Sequence, residues 1–462
     1  MTTRTHSTAG TEALDGALTG RLGAGGVRRV VLAPLQHGLA DLLGHCLPSD
    51  PPPWDVELVR TKFKPGRKLT AYYRVTFSSV TRHVALSWSV QPLTTAVDVS
   101  SVEDEARRLH VLAPFTRLAA TSDDRRTTLL VGPADPRMPQ LVGLSQQEHM
   151  ATAIAELAGA GSAQAAAVGI ATVRYRPGQR HVLRVGQPTG GDGTTFVKLD
   201  RDDSGVRAVA VARAVGPILA DGCSHAALAQ PLGYDLVDHA SMWRQAPGAP
   251  LQRWLTGGSS CGSGLVGLLG AALRVLHDRG PGPASGAFDA VGGLSAHDAA
   301  AELAATLRAG EHLDVLLPEL AQRYRALARQ VADRLERLPG EAPTFTHGDV
   351  KCDNIISDGR TLCLLDLDRC AWADPALDLA KVLADLRWWG ASDGADVSVL
   401  TSALVVGYGD CDPHRWARAR TLAVLFQLKL AARRVTVDDV AWARLVSARV
   451  RDAEIALRVE QP

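Results

Sequence analysis

The stretch LVRTKFKPGRKLTAYYRV (58–75) is echoed about 112 residues downstream by TVRYRPGQRHVLRV (172–185). Each copy reads as a β-strand, a Pro-Gly turn and a second strand. A third strand follows each, RHVALSWSVQ (82–91) in the first and TTFVKLD (194–200) in the second. Each copy then closes on a helical segment, SVEDEARRLHVLAPF (101–115) and SGVRAVAVARAVGPILADG (204–222). The shared order of strand, turn, strand, strand and helix predicts two copies of one small β-rich lobe. Two unrelated hairpins with the same turn chemistry are the alternative.

After about residue 250 the pattern changes. LVGLLGAALRVLHDRG (265–280) repeats its apolar residues at helical spacing and stops at Gly. Later segments up to DVAWARLVSARVRDAEIALRV (439–459) read as further amphipathic helices. The expected class is therefore α+β, with β-rich lobes, a Pro-Gly connector and a helical lobe. Residues 1–34 are Gly-, Ala- and Thr-rich without sustained periodicity and are expected to be disordered. The expected domains are 35–160, an extra N-terminal domain; 161–248, a second β-rich lobe; and 249–462, a helical lobe.

Charge narrows the function. Fifty basic and 49 acidic residues leave a net +1, so no general electrostatic attraction to nucleic acid or to an anionic membrane is expected. No apolar run is long enough to span a bilayer. Seven cysteines without a CxxC pair fit reduced thiols and a cytoplasmic setting. Only seven of the fifty basic residues are Lys, at 62, 64, 68, 198, 351, 381 and 429. Against so strong an Arg bias, a Lys that falls at a mechanistic position is less readily incidental.

The segment FTHGDVKCDNIISDGRTLCLLDLDRCAWADPALDLAKVL (345–383) carries the chemistry. Asp349 follows His-Gly, Asn354 lies five residues on, and Asp366 ends the apolar run TLCLLD. Phosphoryl transfer asks a protein mainly for positioned charge: a carboxylate at the acceptor hydroxyl and oxygen ligands for magnesium on the phosphates. One short loop can bring Asp349 and Asn354 together, and a strand can deliver Asp366 opposite them. A loop Asp, a turn Asn and a strand-end Asp assembled by chance is the alternative, which must also explain His-Gly, the spacing and the downstream Asp-Pro.

The pattern H-G-D-x-x-x-x-N followed by L-L-D-x-D resembles the aminoglycoside phosphotransferase and choline kinase family of the protein-kinase-like fold. RCAWADPALDLAKVL, LRVLHDRG and QAPGAPL resemble that family too, over roughly 165–440. The resemblance implies a bilobal, protein-kinase-like fold, with the N-terminal domain a degenerate second N-lobe. It implies an ATP- and Mg2+-dependent kinase with an alcohol group as acceptor. Asp349 would be the catalytic carboxylate, with Lys351 at the γ-phosphate. Asn354 and Asp366 would hold Mg2+. Lys198 would pair the α- and β-phosphates, and Pro177 and Gly178 would sit at the phosphate-covering turn. Trp243, Gln245 and Ala246 of SMWRQAPG (241–248) would line the adenine pocket. His347 and Asp378 would support the loop.

Three departures from the family pattern stand out. The helix after Lys198 has no acid from Ser204 to Ala220, so the usual Glu partner is missing, with Asp202 or Asp203 as possible substitutes. The turn has no multi-glycine loop. The first copy has Leu86, Ser87 and Trp88 where a lysine would fall. The expected acceptor is a small molecule of antibiotic, amino alcohol or sugar type, or a biosynthetic peptide, and not a strongly cationic one. A partner-binding pseudokinase, engaged through the N-terminal domain, is the alternative. Cys352, Cys363 and Cys370 lack a zinc pattern. Trp388 and Trp389 read as packing residues, with a pocket wall as the alternative. KFKPGRK (62–68) reads as a solvated turn, with an anion or peptide site as the alternative.

Overall fold

The computed structural model describes residues 8–51, 53–77, 80–159, 169–186, 193–202, 204–255 and 260–459. Its first elements correct the expectation of a disordered start. Helices span Thr8–Thr19 and Gly23–Leu32. Val27, Val30 and Val31 recur on one face of the second and are buried, and the Tyr73 hydroxyl donates to the Val31 carbonyl at 2.8 Å. Small residues hid this face in the sequence: burial comes from tertiary packing, which propensity does not report. Residues 1–7 lie outside the described set.

The two sequence copies have one topology. Strands β1 (Trp54–Lys64), β2 (Lys68–Phe77), β3 (Val80–Ser89), β4 (Ala119–Thr121) and β5 (Thr127–Val131) form a sheet ordered β1-β2-β3-β5-β4. Strands β6 (Gly169–Arg176), β7 (Arg180–Gly186), β8 (Thr195–Asp200), β10 (Pro231–Asp235) and β11 (Ala240–Arg244) form a second, ordered β6-β7-β8-β11-β10, with β9 (Ala226–Leu228) joining another sheet. Both first hairpins slip register at the matching place, between Leu58 and Arg60 and between Thr172 and Arg174. Each slip is a bulge that bends the strand. The sheets share a core in which Tyr72, Met138, Leu141 and Met150 pack with Tyr175, Leu183 and Val185.

The first copy has no cation at the position of Lys198. Leu86, Ser87 and Trp88 are buried there. The Trp88 indole donates to the His37 carbonyl at 2.8 Å, and Ser87 bonds Thr70 at 3.0 Å.

The connector passes through Gly248, whose φ is +105°. A Cβ there would lie 2.0 Å from the Ser357 carbonyl oxygen, so only Gly permits the approach. β12 (Ala249–Pro250) then pairs with β15 (Ile355–Ser357) and ties the connector to the helical lobe. That lobe contains β13 (Ala296–His297), β14 (Thr344–Thr346), β16 (Leu362–Leu364) and β17 (Ala371–Ala373). Around them pack long helices, among them Ser260–Arg279, Ala376–Asp393 and Pro413–Arg434. The whole is a protein-kinase-like bilobal fold carrying an extra N-terminal module. Among the described residues no helix is long and apolar enough to cross a membrane.

Candidate active site

The loop after β14 is held from below. Asp378, in the first turn of helix Ala376–Asp393, is fully buried and accepts from the backbone nitrogens of His347 at 2.7 Å and Gly348 at 2.8 Å. Burial works to raise its pKa; the His277 hydrogen bond and nearby cations outweigh that, so it stays ionised. His277 passes the network on to the Tyr408 hydroxyl at 2.8 Å. Burial lowers the His347 pKa, and its Nδ1 accepts from the Asp349 nitrogen at 3.3 Å, which fits a neutral ring. Gly348 has φ +76°, and a Cβ there would lie 1.9 Å from the Arg369 carbonyl oxygen. The Lys381 ammonium donates to the Gly348 carbonyl from above.

Asp349 and Asn354 converge. The Asn354 amide nitrogen donates to the Asp349 carbonyl and to its Oδ2, both at 3.0 Å. Lys351 Nζ lies 2.8 Å from the same carboxylate. Burial alone would raise the Asp349 pKa, yet Lys351 and Lys381 hold it below the usual value, so the group is a carboxylate at neutral pH. The loop's far end is fixed by Asp385, which accepts from the Cys352 nitrogen at 2.6 Å. Arg434 pairs with Asp385 at 2.7 Å and Asp353 at 2.9 Å and lies over Trp388 and Trp389, which gives both rings packing roles.

Across the cavity, Asp366 follows β16 in the left-handed region, at φ +65°. A non-Gly residue there stores strain, as functional positions often do. Lys198, on β8, donates to Asp366 at 2.7 Å and also to Asp368. Arg180, on β7, binds Asp200 and Asp368 and lies 3.5 Å from Asp366. The partners of Lys198 are therefore these two aspartates, a solution that replaces the missing helix Glu. Asp202 is not that partner: it accepts from the Ser204 nitrogen at 3.1 Å, at the start of the helix. Asp203 lies outside the described residues. Lys198 holds Asp366 well down, against burial; burial pushes Asp368 up, with the Asp366 charge adding to the push.

Asp349, Lys351, Asn354, Asp366 and Asp368 line one cavity of about 860 Å³. Lys381 and Lys429 line it as well, so four of the chain's seven lysines, Lys198 included, stand at this site. Buried Glu302 anchors Lys429 at 2.7 Å. The sequence marked Lys381, Lys429 and Asp385 only through residue scarcity or not at all, because their partners are distant in the chain.

The remaining expected residues fall nearby. Pro177 and Gly178 form the β6–β7 turn, but flanking Arg176, Gln179 and Arg180 line the cavity and they do not. Gln245 and Ala246 line a separate slot of about 280 Å³ with Ile356 and Cys363. Trp243 does not line it; its indole donates to Ser241 at 3.0 Å.

The donor set suits a hard cation. Asn354 turns its amide nitrogen to Asp349, so its amide oxygen is the end directed away from that carboxylate, and Asp368 keeps a buried oxygen without a hydrogen-bond partner among the described residues. No cluster of three or more His, Cys, Asp or Glu stands ready to hold a metal among those residues. Magnesium that shares its coordination with phosphates needs only one or two carboxylates from the protein.

The family model described as "Phosphotransferase enzyme family" matches residues 177–421, just over half of the chain. A search of curated proteins returns no match. Among solved structures, the GDP complex of aminoglycoside 2'-phosphotransferase-IIIa is 15% identical, covering 67% of this chain and 98% of that one with TM-score 0.45. A choline/ethanolamine kinase family protein from Mesorhizobium loti is 17% identical, covering 67% and 94% with TM-score 0.43. Amicoumacin kinase in complex with AMP-PNP, Ca2+ and Ami is 13% identical, covering 62% and 88% with TM-score 0.45. The matches give no support to a pseudokinase or to a protein partner for the N-terminal module.

Proposed function

The chain belongs to the phosphotransferase enzyme family and is a kinase with an alcohol group as acceptor, and we propose that it moves the γ-phosphoryl group of ATP to a hydroxyl of a small molecule or of a biosynthetic peptide. In this reading the enzyme works in the cytoplasm, where ATP is at hand. The observation that carries the reading is that Asp349, Asn354 and Asp366 line one cavity, with Lys198 bonded to Asp366.

In this reading the Asp349 carboxylate accepts a hydrogen bond from the acceptor hydroxyl, orients it and takes its proton. Lys351, now paired with Asp349, turns toward the terminal phosphate and neutralises charge there. Asn354 and Asp366 would hold Mg2+, which when bound supplies charge neutralisation on the phosphates. Lys198 would draw the α- and β-phosphates, and Arg180 would keep Asp366 and Asp368 in place as Lys198 shares its contacts. Buried His347 and Asp378 would fix the loop so that Asp349 needs little reorganisation. The slot beside Gln245 and Ala246, walled by Ile356 and Cys363, is the proposed place for the base.

The test is Asp349→Asn. Magnesium-dependent transfer should fall on the order of 10²–10⁴-fold, while melting temperature and affinity for Mg-ADP hold. Unchanged turnover in that variant would overturn the assignment.

A further inference from the structure

Most acids of the active-site cavity are already paired, Asp200 with Arg180 among them, and Asp202 accepts from the Ser204 nitrogen. Asp349 is matched to Lys351, Asp353 and Asp385 to Arg434, and Asp366 and Asp368 to Lys198 and Arg180. Six further guanidinium groups line the same cavity: Arg60, Arg174, Arg176, Arg201, Arg369 and Arg433. None of the six has a carboxylate within ion-pair distance among the described residues. They arrive from five separate places, Arg201 directly after β8. Arg60 lies beside the β1 bulge of the N-terminal module, and Arg174 and Arg176 lie on β6. Arg369 follows Asp368, and Arg433 is the penultimate residue of the helix Pro413–Arg434.

These charges are close enough to feel one another. Burial first, then Arg60 and Arg174, pull the Arg176 pKa down to about 10. Burial and then Arg174 lower Arg60, with Arg433 adding from across the groove. Arg433 is lowered by burial and by Arg369. Asp438 offsets part of this at Arg60 and Glu302 part of it at Arg433. Like charges gathered in excess of their counter-charges disfavour the folded state, and they focus a positive potential into the cleft. Planar guanidinium groups match carboxylate and phosphate oxygens in geometry as well as charge.

We infer that the acceptor alcohol of this kinase carries a fixed negative charge, a carboxylate or phosphate group, bound by the arginine rim that the N-terminal module completes through Arg60. The inference rests on the phosphotransferase reading and narrows its substrate class. The nucleotide does not account for the rim. Lys198, Arg180 and Lys351 already face the phosphate side, whereas Arg60 and Arg433 belong to elements outside the β6–β8 lobe and the catalytic loop. The cavity of about 860 Å³ also sits at the upper end of the range of roughly 300–1,000 Å³ for small-ligand sites. A cationic acceptor would be repelled by the same rim.

The test uses the full chain saturated with Mg2+ and a non-hydrolysable ATP analogue, so that the γ-phosphate position is filled. Glycerol, glycerol 3-phosphate, citrate, choline and a Ser-containing peptide with acidic flanks are then titrated by calorimetry. Glycerol 3-phosphate or citrate should bind more tightly than glycerol or choline, and added NaCl should weaken that binding. Binding of the peptide alone among the anions would keep the charge requirement and assign the charge to a polypeptide. Arg60→Ser and Arg433→Ser should each weaken anion binding about fivefold, as loss of a half-exposed ion pair does, with affinity for the ATP analogue retained. Tighter binding of choline, no binding by any anion, or anion binding indifferent to both variants would overturn the inference. Failure to bind the nucleotide at all would instead undo the phosphotransferase reading.

Discussion

The carboxylate of Asp135, on the N-terminal module, lies 2.7 Å from the backbone nitrogen of Gly178 on the kinase-like module. The same Oδ2 lies 2.7 Å from His181 Nε2, and Asp135 and His181 are fully buried. The Tyr175 hydroxyl adds a 2.6 Å bond to the Ala134 carbonyl. The expected phosphate-covering turn is therefore clamped by a neighbouring module, in place of the conformational freedom a glycine-rich loop would give.

Asp135→Asn tests the clamp. Breaking a buried pair from one side costs about 3–5 kcal/mol, so the variant should melt well below the wild type and bind nucleotide more weakly. The effect has a pH signature. Burial works to raise the Asp135 pKa, but the His181 hydrogen bond and the Gly178 and Arg137 amides lower it overall. A carboxylate with a lowered folded pKa stabilises fully above its unfolded value of about 3.9 and loses that stabilisation as pH falls through the folded value. Urea unfolding should show the full gap between the two proteins at pH 7 and a shrinking gap below about pH 4. A gap independent of pH would assign the loss to shape and not to charge.

Gly348→Ala probes the loop itself. Its φ of +76° lies in the left-handed region, and the new Cβ would meet the Arg369 carbonyl oxygen at 1.9 Å. The left-handed backbone alone costs about 1–2 kcal/mol for an L-residue, and the clash adds to it. The loop must shift, and Asp349 shifts with it. The expected result is a folded protein with a lowered melting temperature and transfer reduced at least about 100-fold, as a 1 Å misplacement can cause. Wild-type turnover would show that the loop tolerates displacement.

Lys198→Met removes the ammonium that joins Asp366 and Asp368. Arg180 stays, so the fold should persist, but the two aspartates lose a shared counter-charge. Loss of one preorganised charge at the phosphates should lower kcat on the order of 10²–10³-fold, with weaker Mg-ADP binding by calorimetry. If neither quantity moves, Lys198 does not face the nucleotide.

The loop was legible because its chemistry is local: Asp349 and Asn354 are five residues apart and bonded directly. The lobe order was legible because strand, Pro-Gly turn and helix have local propensities. What bridges distant segments was not. Lys198 finds Asp366 across 168 residues, and no helical acid announced the exchange. Asp135 sits 43 residues before Gly178, in a segment without a motif. The arginine rim draws on positions from 60 to 433, none of them distinctive in a chain so rich in Arg. The helices before residue 34 show their buried face only once β2 packs on it.

Removing residues 1–160 should not leave a working kinase. Tyr175, Leu183 and Val185 are at most 5% exposed, beneath Tyr72, Met138, Leu141 and Met150 of the segment to be removed. Uncovering each such side chain costs about 1.5–3 kcal/mol, against a total stability of roughly 5–15 kcal/mol for a domain. The deletion also removes Asp135, so the Gly178 turn loses its clamp. Residues 161–462 alone are expected to aggregate or to elute as an expanded species without a cooperative melt, and to lose Mg-ADP binding. A monomeric fragment that melts cooperatively and binds Mg-ADP as the full chain does would show that the kinase-like module is complete by itself and that the N-terminal copy is an addition to it.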